Sequence, residues 1–100
     1  MISLAHYKNK KIAVFGLGKA GMAALDALVS AGAEVYGWDD KQENTSNART
    51  KFPRAIIVSY EQWPWKEIET LVLSPGVPLT HPQPHICVTM AMINGCRVIG

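Results

Sequence analysis

The feature that most constrains the fold is a glycine-rich segment, GLGKAG, at residues 16–21. Before it stands KIAVFG (11–16), a short apolar run with β-branched and aromatic residues, and after it comes an alanine-rich stretch with apolar residues at helical spacing. This order predicts a buried strand that turns directly into a helix. It is also the context in which a G-x-G-x-x-G motif binds phosphate groups. We therefore expect a phosphate-binding turn here.

Each glycine of this motif has its own predicted role. Gly16 permits a tight turn, Gly18 lets the backbone approach a phosphate without a Cβ, and Gly21 lets the helix pack close to the sheet. Several free amides then face the anion, and together they matter more than the helix dipole, which contributes about 0.3–1 kcal/mol per charge. Lys19 can add positive charge at the same place.

The rest of the chain keeps alternating between strand and helix patterns. The predicted strands are 11–16, 34–39, 55–58, 70–74 and 97–99, and the predicted helices are 19–31 and about 83–94. In the second helix Ile86, Met90 and Ile93 share one face. Residues 40–51 are polar and fit either a mobile loop or a weak surface helix, and 60–69 leaves room for a short helix. Such alternation predicts an α/β, Rossmann-like fold, a doubly wound parallel sheet of about five strands with its ligand crevice at their carboxyl ends.

Composition limits the classes of function. One hundred residues, 48% of them hydrophobic, suffice for a single domain over 1–100. The net charge is only +2, and the lysines at 8, 10 and 11 have no aromatic residues interleaved, so we expect no nucleic-acid partner. No apolar run reaches the roughly 20 residues of a membrane helix, and the amino terminus does not resemble a cleavable leader. We expect a cytoplasmic protein without a membrane partner.

No metal or ligand is assigned to the cysteines, the two histidines near the last helix or the large aromatic residues. Cys87 and Cys96 lack a metal-binding spacing and are expected to be free thiols. His81 and His85 are four apart, but the prolines at 82 and 84 oppose a regular helical pair, so no metal site is predicted and a turn or cap role is favoured. The larger aromatic side chains are interpreted as core or loop anchors: Tyr36, Trp38, Trp63 and Trp65.

An acidic corner follows the second predicted strand. Asp39 lies about twenty residues beyond the turn, where a dinucleotide-binding domain places a carboxylate on ribose hydroxyls, so these residues alone favour NAD. Asp40 and Lys41 follow directly, and this acid-acid-base corner can also bond a base N–H and cover a ring. The stiff loop SPGVP (74–78) lies at the same sheet edge, where Gly76 allows a close ligand approach.

Taken together, segments 11–40, 70–82 and 97–100 resemble the amino-terminal domain of the MurD family of Mur ligases, and LSPGVPLTHP (73–82) is the most discriminating part. The resemblance implies that the domain holds the UDP end of UDP-N-acetylmuramoyl-L-alanine rather than NAD. It implies an ATP-dependent ligase of peptidoglycan synthesis, with D-glutamate, ATP and Mg²⁺ handled by a central P-loop domain and a carboxyl-terminal domain. No G-x-x-x-x-G-K-[ST] motif occurs here. Residues 1–100 are therefore expected to hold no cofactor or catalytic residue and to be inactive alone.

The resemblance also implies individual roles. The Lys19 and Ala20 amides are expected on the diphosphate, Asp39 and Asp40 on the uracil edge, and Lys41 with Gly76 on the two faces of the ring. Ala20 stands where a hydroxyl residue often adds a bond, and Lys41 where an arginine can stack on uracil. The predicted UDP site comprises Gly16, Gly18, Lys19, Ala20, Gly21, Asp39, Asp40, Lys41, Ser74 and Gly76.

Three functions thus stay open from the sequence. The leading hypothesis is a UDP-binding domain of a cytoplasmic amide ligase. The first alternative is the NAD-binding half of a dehydrogenase, which the glycines and Asp39 fit by themselves. The second is a non-catalytic, nucleotide-sensing module that regulates a partner protein. Selective binding of UDP or of NAD separates the first two, and nucleotide-dependent association with a partner would favour the third.

Overall fold

A computed structural model describes residues 7–74 and 85–100. In it five parallel strands form one sheet in the order β3-β2-β1-β4-β5. The strands are β1 Lys11–Phe15, β2 Glu34–Trp38, β3 Ile56–Ile57, β4 Thr70–Leu73 and β5 Arg97–Ile99. The helices are α1 Lys19–Ser30, α2 Gln42–Lys51 and α3 Ile86–Ile93, with a short 3₁₀ helix at Tyr60–Gln62. The predicted α/β, Rossmann-like architecture is confirmed. The ends of the predicted elements agree to within one residue, except that α3 begins three residues later than predicted.

β1 is the central strand and sends alternate side chains into two separate cores. Ile12 and Val14 pack on the side of α1 and α2, whereas Ala13 and Phe15 pack on the side of α3. All four are buried. A parallel strand covered on both faces has no solvent side, which explains why β1 reads as a continuous apolar run.

The first helix ends as its glycine predicts. Gly32 has a φ of +86°, in the left-handed region that favours glycine. Its N–H donates to the Val29 carbonyl at 3.1 Å, and the Ala33 N–H donates to the Leu28 carbonyl at 3.1 Å. These bonds satisfy the last carbonyls of α1 and turn the chain back towards β2.

Most of the polar stretch over 40–51 forms a helix, α2, which begins at Gln42. α2 carries mostly exposed side chains, but Thr45 and Ala48 are buried against the sheet. The Thr45 hydroxyl donates to the Gln42 carbonyl at 2.9 Å. Its small contribution to the core agrees with its composition.

The tryptophans between β3 and β4 are anchors, as predicted. Trp63 and Trp65 are buried in the core on the α3 side. Their indole N–H groups donate to the carbonyls of Val58 at 3.0 Å and Tyr60 at 2.9 Å. This loop therefore covers the α3 face of the sheet without a long helix of its own.

The apolar face predicted for the last helix is not the buried one. Ile86 and Ile93 are 52% and 74% exposed, whereas the buried residues of α3 are Cys87, Val88 and Ala91. Because α3 is apolar almost all round, its periodicity does not select a face. The helix begins at Ile86, and the first two positions predicted for it, 83 and 84, lie outside the described residues.

Candidate nucleotide-binding site

The candidate site lies where the strand order reverses. From the central β1, the chain adds β2 and β3 on one side and then β4 and β5 on the other. Ligands of open α/β sheets bind in the crevice at such a switch point, at the carboxyl ends of the strands. Backbone bonds join the local loops: the Gly16 N–H donates to the Trp38 carbonyl at 2.9 Å, and the Ser74 N–H donates to the Phe15 carbonyl at 3.0 Å. The predicted turn, acidic corner and Ser74 are thus brought together.

The glycine-rich turn has the backbone that its sequence predicts. Gly16 has a φ of +93° and makes the sharp turn out of β1. A Cβ on Gly21 would lie 1.7 Å from the Gly16 carbonyl oxygen, so only glycine lets α1 start so close to the turn. Gly18 differs, because a Cβ there would meet nothing within 4 Å. Its missing side chain leaves open space in front of the helix.

The first turn of α1 leaves its amides unused. Among the described residues, no acceptor bonds the N–H groups of Lys19, Ala20 and Gly21, and the first bonded amide is that of Met22, which donates to the Gly18 carbonyl at 2.9 Å. Gly18 supplies no side-chain cap, and the first turn carries no acidic residue. Unpaired amides at the positive end of a helix dipole form an anion site.

Asp39 holds the turn against the end of β2. Its Oδ2 accepts from the Leu17 N–H at 2.7 Å and from Asn44 Nδ2 at 3.0 Å, and its Oδ1 accepts from the Lys41 N–H at 2.8 Å. Burial by itself raises the pKa of Asp39, but the bonds from Lys41, Leu17 and Asn44 outweigh it, so the pKa of this carboxyl lies below its usual value. Asp39 is therefore a charged side chain that connects the turn, the end of β2 and α2. We call its three bonds, from Leu17, Lys41 and Asn44, the Asp39 clasp.

The clasp leaves Asp39 little capacity for a ligand. A carboxylate offers about four acceptor positions, and three of them are used here, two on Oδ2 and one on Oδ1. Asn44, which fills one of them, was not among the predicted site residues. Its place in the first turn of α2 becomes informative only once 42–51 is known to be helical.

Asp40 points to the other side of the corner. Its side chain is 67% exposed, and its Oδ2 lies 3.3 Å from Nε2 of His85. His85 caps α3, because its Nδ1 accepts from the Cys87 N–H at 3.1 Å. The cap role predicted for His85 is confirmed, whereas its contact with Asp40, forty-five positions away, carries no sequence signal.

A cleft of about 320 Å³ opens beside this corner. Within it the Arg49 guanidinium lies 5.9 Å from the centroid of the Trp38 ring and donates to the Ile57 carbonyl at 3.0 Å. Neither Trp38 nor Arg49 was assigned to the site from the sequence. The cleft is lined by Trp38, Asp39, Asp40, Gln42, Thr45 and Arg49.

Part of the predicted site lies outside the described residues. Gly76, the SPGVP loop beyond Ser74, and His81 all fall within 75–84, so their roles stay predictions. In the remainder of the chain no three His, Cys, Asp or Glu side chains are grouped to hold a metal ion. Over the same residues no helix is long and apolar enough to cross a membrane. Cys87 and Cys96 are free thiols, as predicted.

The fold and the open helix terminus together define an α/β domain of the Rossmann type. Among solved structures, the shikimate dehydrogenase of Aquifex aeolicus aligns with a TM-score of 0.72 at 24% identity, over 93% of this chain and 42% of that one. At this level of identity the likeness concerns the fold alone.

Sequence comparison is more specific. A family model described as "Mur ligase MurD-like, N-terminal domain" matches residues 10–100, and the chain belongs to this family. Relatives named UDP-N-acetylmuramoylalanine–D-glutamate ligase include one from Bartonella henselae, 47% identical over all 100 residues. Another, from Wolbachia sp. subsp. Brugia malayi, is 40% identical over 97 residues. The chain spans only 21% and 20% of the lengths of these two relatives.

Proposed function

We propose that this chain is the UDP-substrate-binding domain of an ATP-dependent ligase that joins D-glutamate to UDP-N-acetylmuramoyl-L-alanine in peptidoglycan synthesis. The observation that carries the proposal is the family match over residues 10–100. The unused amides at the start of α1 support it, because they suit the diphosphate of such a substrate. The proposal places the enzyme in the cytoplasm, where ATP is available.

The diphosphate is proposed to lie against the turn. The Lys19 and Ala20 amides bind its oxygens, and the space left by Gly18 admits them close to the backbone. Several charge-assisted hydrogen bonds from fixed amides are each about twice as strong as neutral ones. Lys19, exposed at the first helical position, adds a positive charge.

The uracil ring is proposed to lie at the corner after β2. The remaining acceptor position of Asp39 and the carboxylate of Asp40 accept from the ring N–H, and Lys41 covers one face. Ser74, beside the turn, and Gly76 complete the opposite wall. The ionised carboxylate of Asp39, whose pKa lies below its usual value, is an acceptor at neutral pH, as this assignment requires.

In this proposal UDP is the part of the substrate that binds the domain, at a distance from the reacting atoms. Binding energy gained on a non-reacting part of a substrate can position the reacting part elsewhere. Here it would hold the muramoyl-alanine carboxylate for activation outside this domain. No residue of this chain is assigned a catalytic role. The described residues carry neither a P-loop nor a metal-binding cluster, so ATP and Mg²⁺ are assigned to other parts of the ligase.

The geometry of Asp39 favours UDP over a dinucleotide. A carboxylate that accepts both ribose hydroxyls of NAD needs free positions on its two oxygens. Oδ2 of Asp39 is already occupied by Leu17 and Asn44. The dehydrogenase-like fold neighbours therefore share the architecture, but this carboxylate is engaged inside the protein.

Titration of the ¹⁵N-labelled chain tests the proposal. UDP is expected to shift the amide signals of residues 18–21 and 39–41, whereas NAD at equal concentration leaves them unchanged. Gly18→Ala provides the matched variant, since its Cβ meets no protein atom yet occupies the space in front of the amides. It should weaken UDP binding with the fold intact. Saturable NAD binding, with no response to UDP, would instead support the dehydrogenase alternative.

A further inference from the structure

One side chain connects the acidic corner after β2 to the start of α3. His85, at the start of α3, reaches Asp40 with Nε2 at 3.3 Å from Oδ2. Within the described residues this contact joins the acidic corner to the residue that caps α3. Oδ1 of Asp40 takes no part in this contact and remains available to an incoming donor.

His85 is itself held firmly. Its ring packs on Phe15 with centroids 4.3 Å apart and meets the edge of Tyr60 at 5.7 Å. Its Nδ1 accepts from the Cys87 N–H. With Nδ1 acting as acceptor, the neutral ring carries its proton on Nε2, which therefore donates to Asp40.

We infer that His85 is a positioning residue, which fixes the Asp40 carboxylate so that its free oxygen faces the base of the bound nucleotide. This inference rests on the proposed function. An exposed carboxylate otherwise samples several rotamers, and ordering it on binding weakens affinity. The His85 bridge orders it beforehand, so its loss should weaken UDP binding by about threefold to tenfold.

Two substitutions separate the two jobs of His85. In His85→Asn, the amide oxygen replaces Nδ1 and keeps the cap on Cys87, but the side chain is too short to reach Asp40. In His85→Gln, the amide nitrogen replaces Nε2 and can still reach Asp40, but the cap is lost. If His85 had only a structural role, the variant with the lower Tm would also bind UDP more weakly. If His85 positions Asp40, the variant with the higher Tm binds UDP more weakly.

The two variants are expected to rank in opposite order for Tm and for UDP affinity. His85→Asn should bind UDP about threefold to tenfold more weakly than the wild type, with the higher Tm of the two variants. His85→Gln should have the lower Tm and near-normal affinity. In an Asp40→Ala background, His85→Asn should cause no further loss of affinity, because His85 acts through Asp40. Should His85→Gln fail to fold, this double-mutant cycle still decides.

Imidazole ¹⁵N shifts supply a readout that needs no nucleotide. The neutral ring of His85 is expected in the Nε2–H form, and an Nδ1–H form would overturn the inference. So would wild-type affinity in His85→Asn, or an undiminished loss in the Asp40→Ala background. Failure of the wild-type chain to bind UDP at all is a different outcome, since it overturns the proposed function together with this inference.

Discussion

At the amino edge of the sheet, where the strands begin, charged side chains bond one another. At the carboxyl edge Asp39 bonds backbone amides, and the first amides of α1 stay unused. Lys10 Nζ lies 2.9 Å from Glu69 Oε2, and Lys11 Nζ lies 3.1 Å from Glu34 Oε2. At the carboxyl edge Asp39 instead bonds the amides of Leu17 and Lys41. The amino edge thus pairs partly exposed charges with one another, which contributes little to stability, whereas the carboxyl edge fixes the turn and leaves backbone donors for an anion.

The titration of the two edges differs accordingly. The hydrogen bond from the Tyr36 hydroxyl and the contact with Lys11 lower the pKa of Glu34. Burial, followed by the bond to Glu34, raises the pKa of Tyr36 to about 12. These shifts belong to a closed network of side chains. The lowered pKa of Asp39 arises largely from amides of the backbone, so it couples charge to the shape of the turn.

The largest expected effect on stability comes from Gly21→Ala, which places a Cβ against the backbone of the turn. Its Cβ would lie 1.7 Å from the Gly16 carbonyl oxygen, and backbone cannot move aside cheaply. We expect the free energy of unfolding to fall by about 3 kcal/mol or more, measured by urea denaturation. The control, Gly18→Ala, should change it by less than about 1 kcal/mol. Equal stability of the two variants would show that the turn is not closed as described.

Asp39→Ala should have the next largest effect. It leaves the buried Leu17 amide without its acceptor and should lower the free energy of unfolding by about 2–3 kcal/mol. Because the folded pKa of Asp39 is lowered, its contribution is present above the unfolded value of about 3.9 and is lost as the pH falls through the folded pKa. The difference between wild type and variant should therefore shrink in acid.

Asp40→Ala is the matched control for this clasp. Its carboxylate is largely exposed, and its side-chain partner within residues 7–74 and 85–100 is His85. Its urea midpoint should stay close to that of the wild type, although UDP affinity falls. A loss of stability as large as that of Asp39→Ala would contradict the different roles given to the two carboxylates.

Tyr36→Phe tests the amino edge. Loss of the bond to Glu34 should lower the free energy of unfolding by about 1 kcal/mol at neutral pH. Because the folded pKa of Tyr36 is raised to about 12, its contribution is full below the unfolded value of about 10 and is lost as the pH rises through 12. Circular dichroism should show a smaller alkaline loss of stability in the variant. An unchanged alkaline profile would assign that loss to other groups.

The smallest effect, of opposite sign, is expected at Thr70. Its hydroxyl is buried at the start of β4 with no hydrogen-bond partner in the described part of the chain. Thr70→Val should raise the free energy of unfolding by up to about 1 kcal/mol. Thr45→Val is the matched control, because the equally buried Thr45 hydroxyl donates to the Gln42 carbonyl, and it should be destabilising. Calorimetric Tm values that move in the same direction would contradict this contrast.

The core of the sheet could be predicted because local pattern and burial agree there. Residues 12–15 (IAVF) are apolar throughout, since β1 is covered on both faces. The glycines at 16 and 32 have the positive φ angles expected of their turns. The face of α3 could not be predicted in this way. With apolar residues all round, only the packing decides that Cys87 and Val88 lie inside.

The part of the candidate site that the backbone forms could be predicted from the sequence. The turn carries its geometry in its own glycines, whereas the environment of Asp39 depends on Leu17 and Asn44, which reach it through the folded chain. His85 reaches Asp40 from a distant helix. Patterns along the chain report the backbone donors of a site better than the side chains that tertiary contacts bring to it.

The central place of β1 has a consequence for the order of folding. β1 pairs on one side with β2, which follows after a single helix, and on the other with β4, where Ile12 lies opposite Thr70. Closing the shorter loop costs less chain entropy. We therefore expect the turn and its Asp39 clasp to assemble in the early half of the folding reaction, before the crevice acquires its second wall.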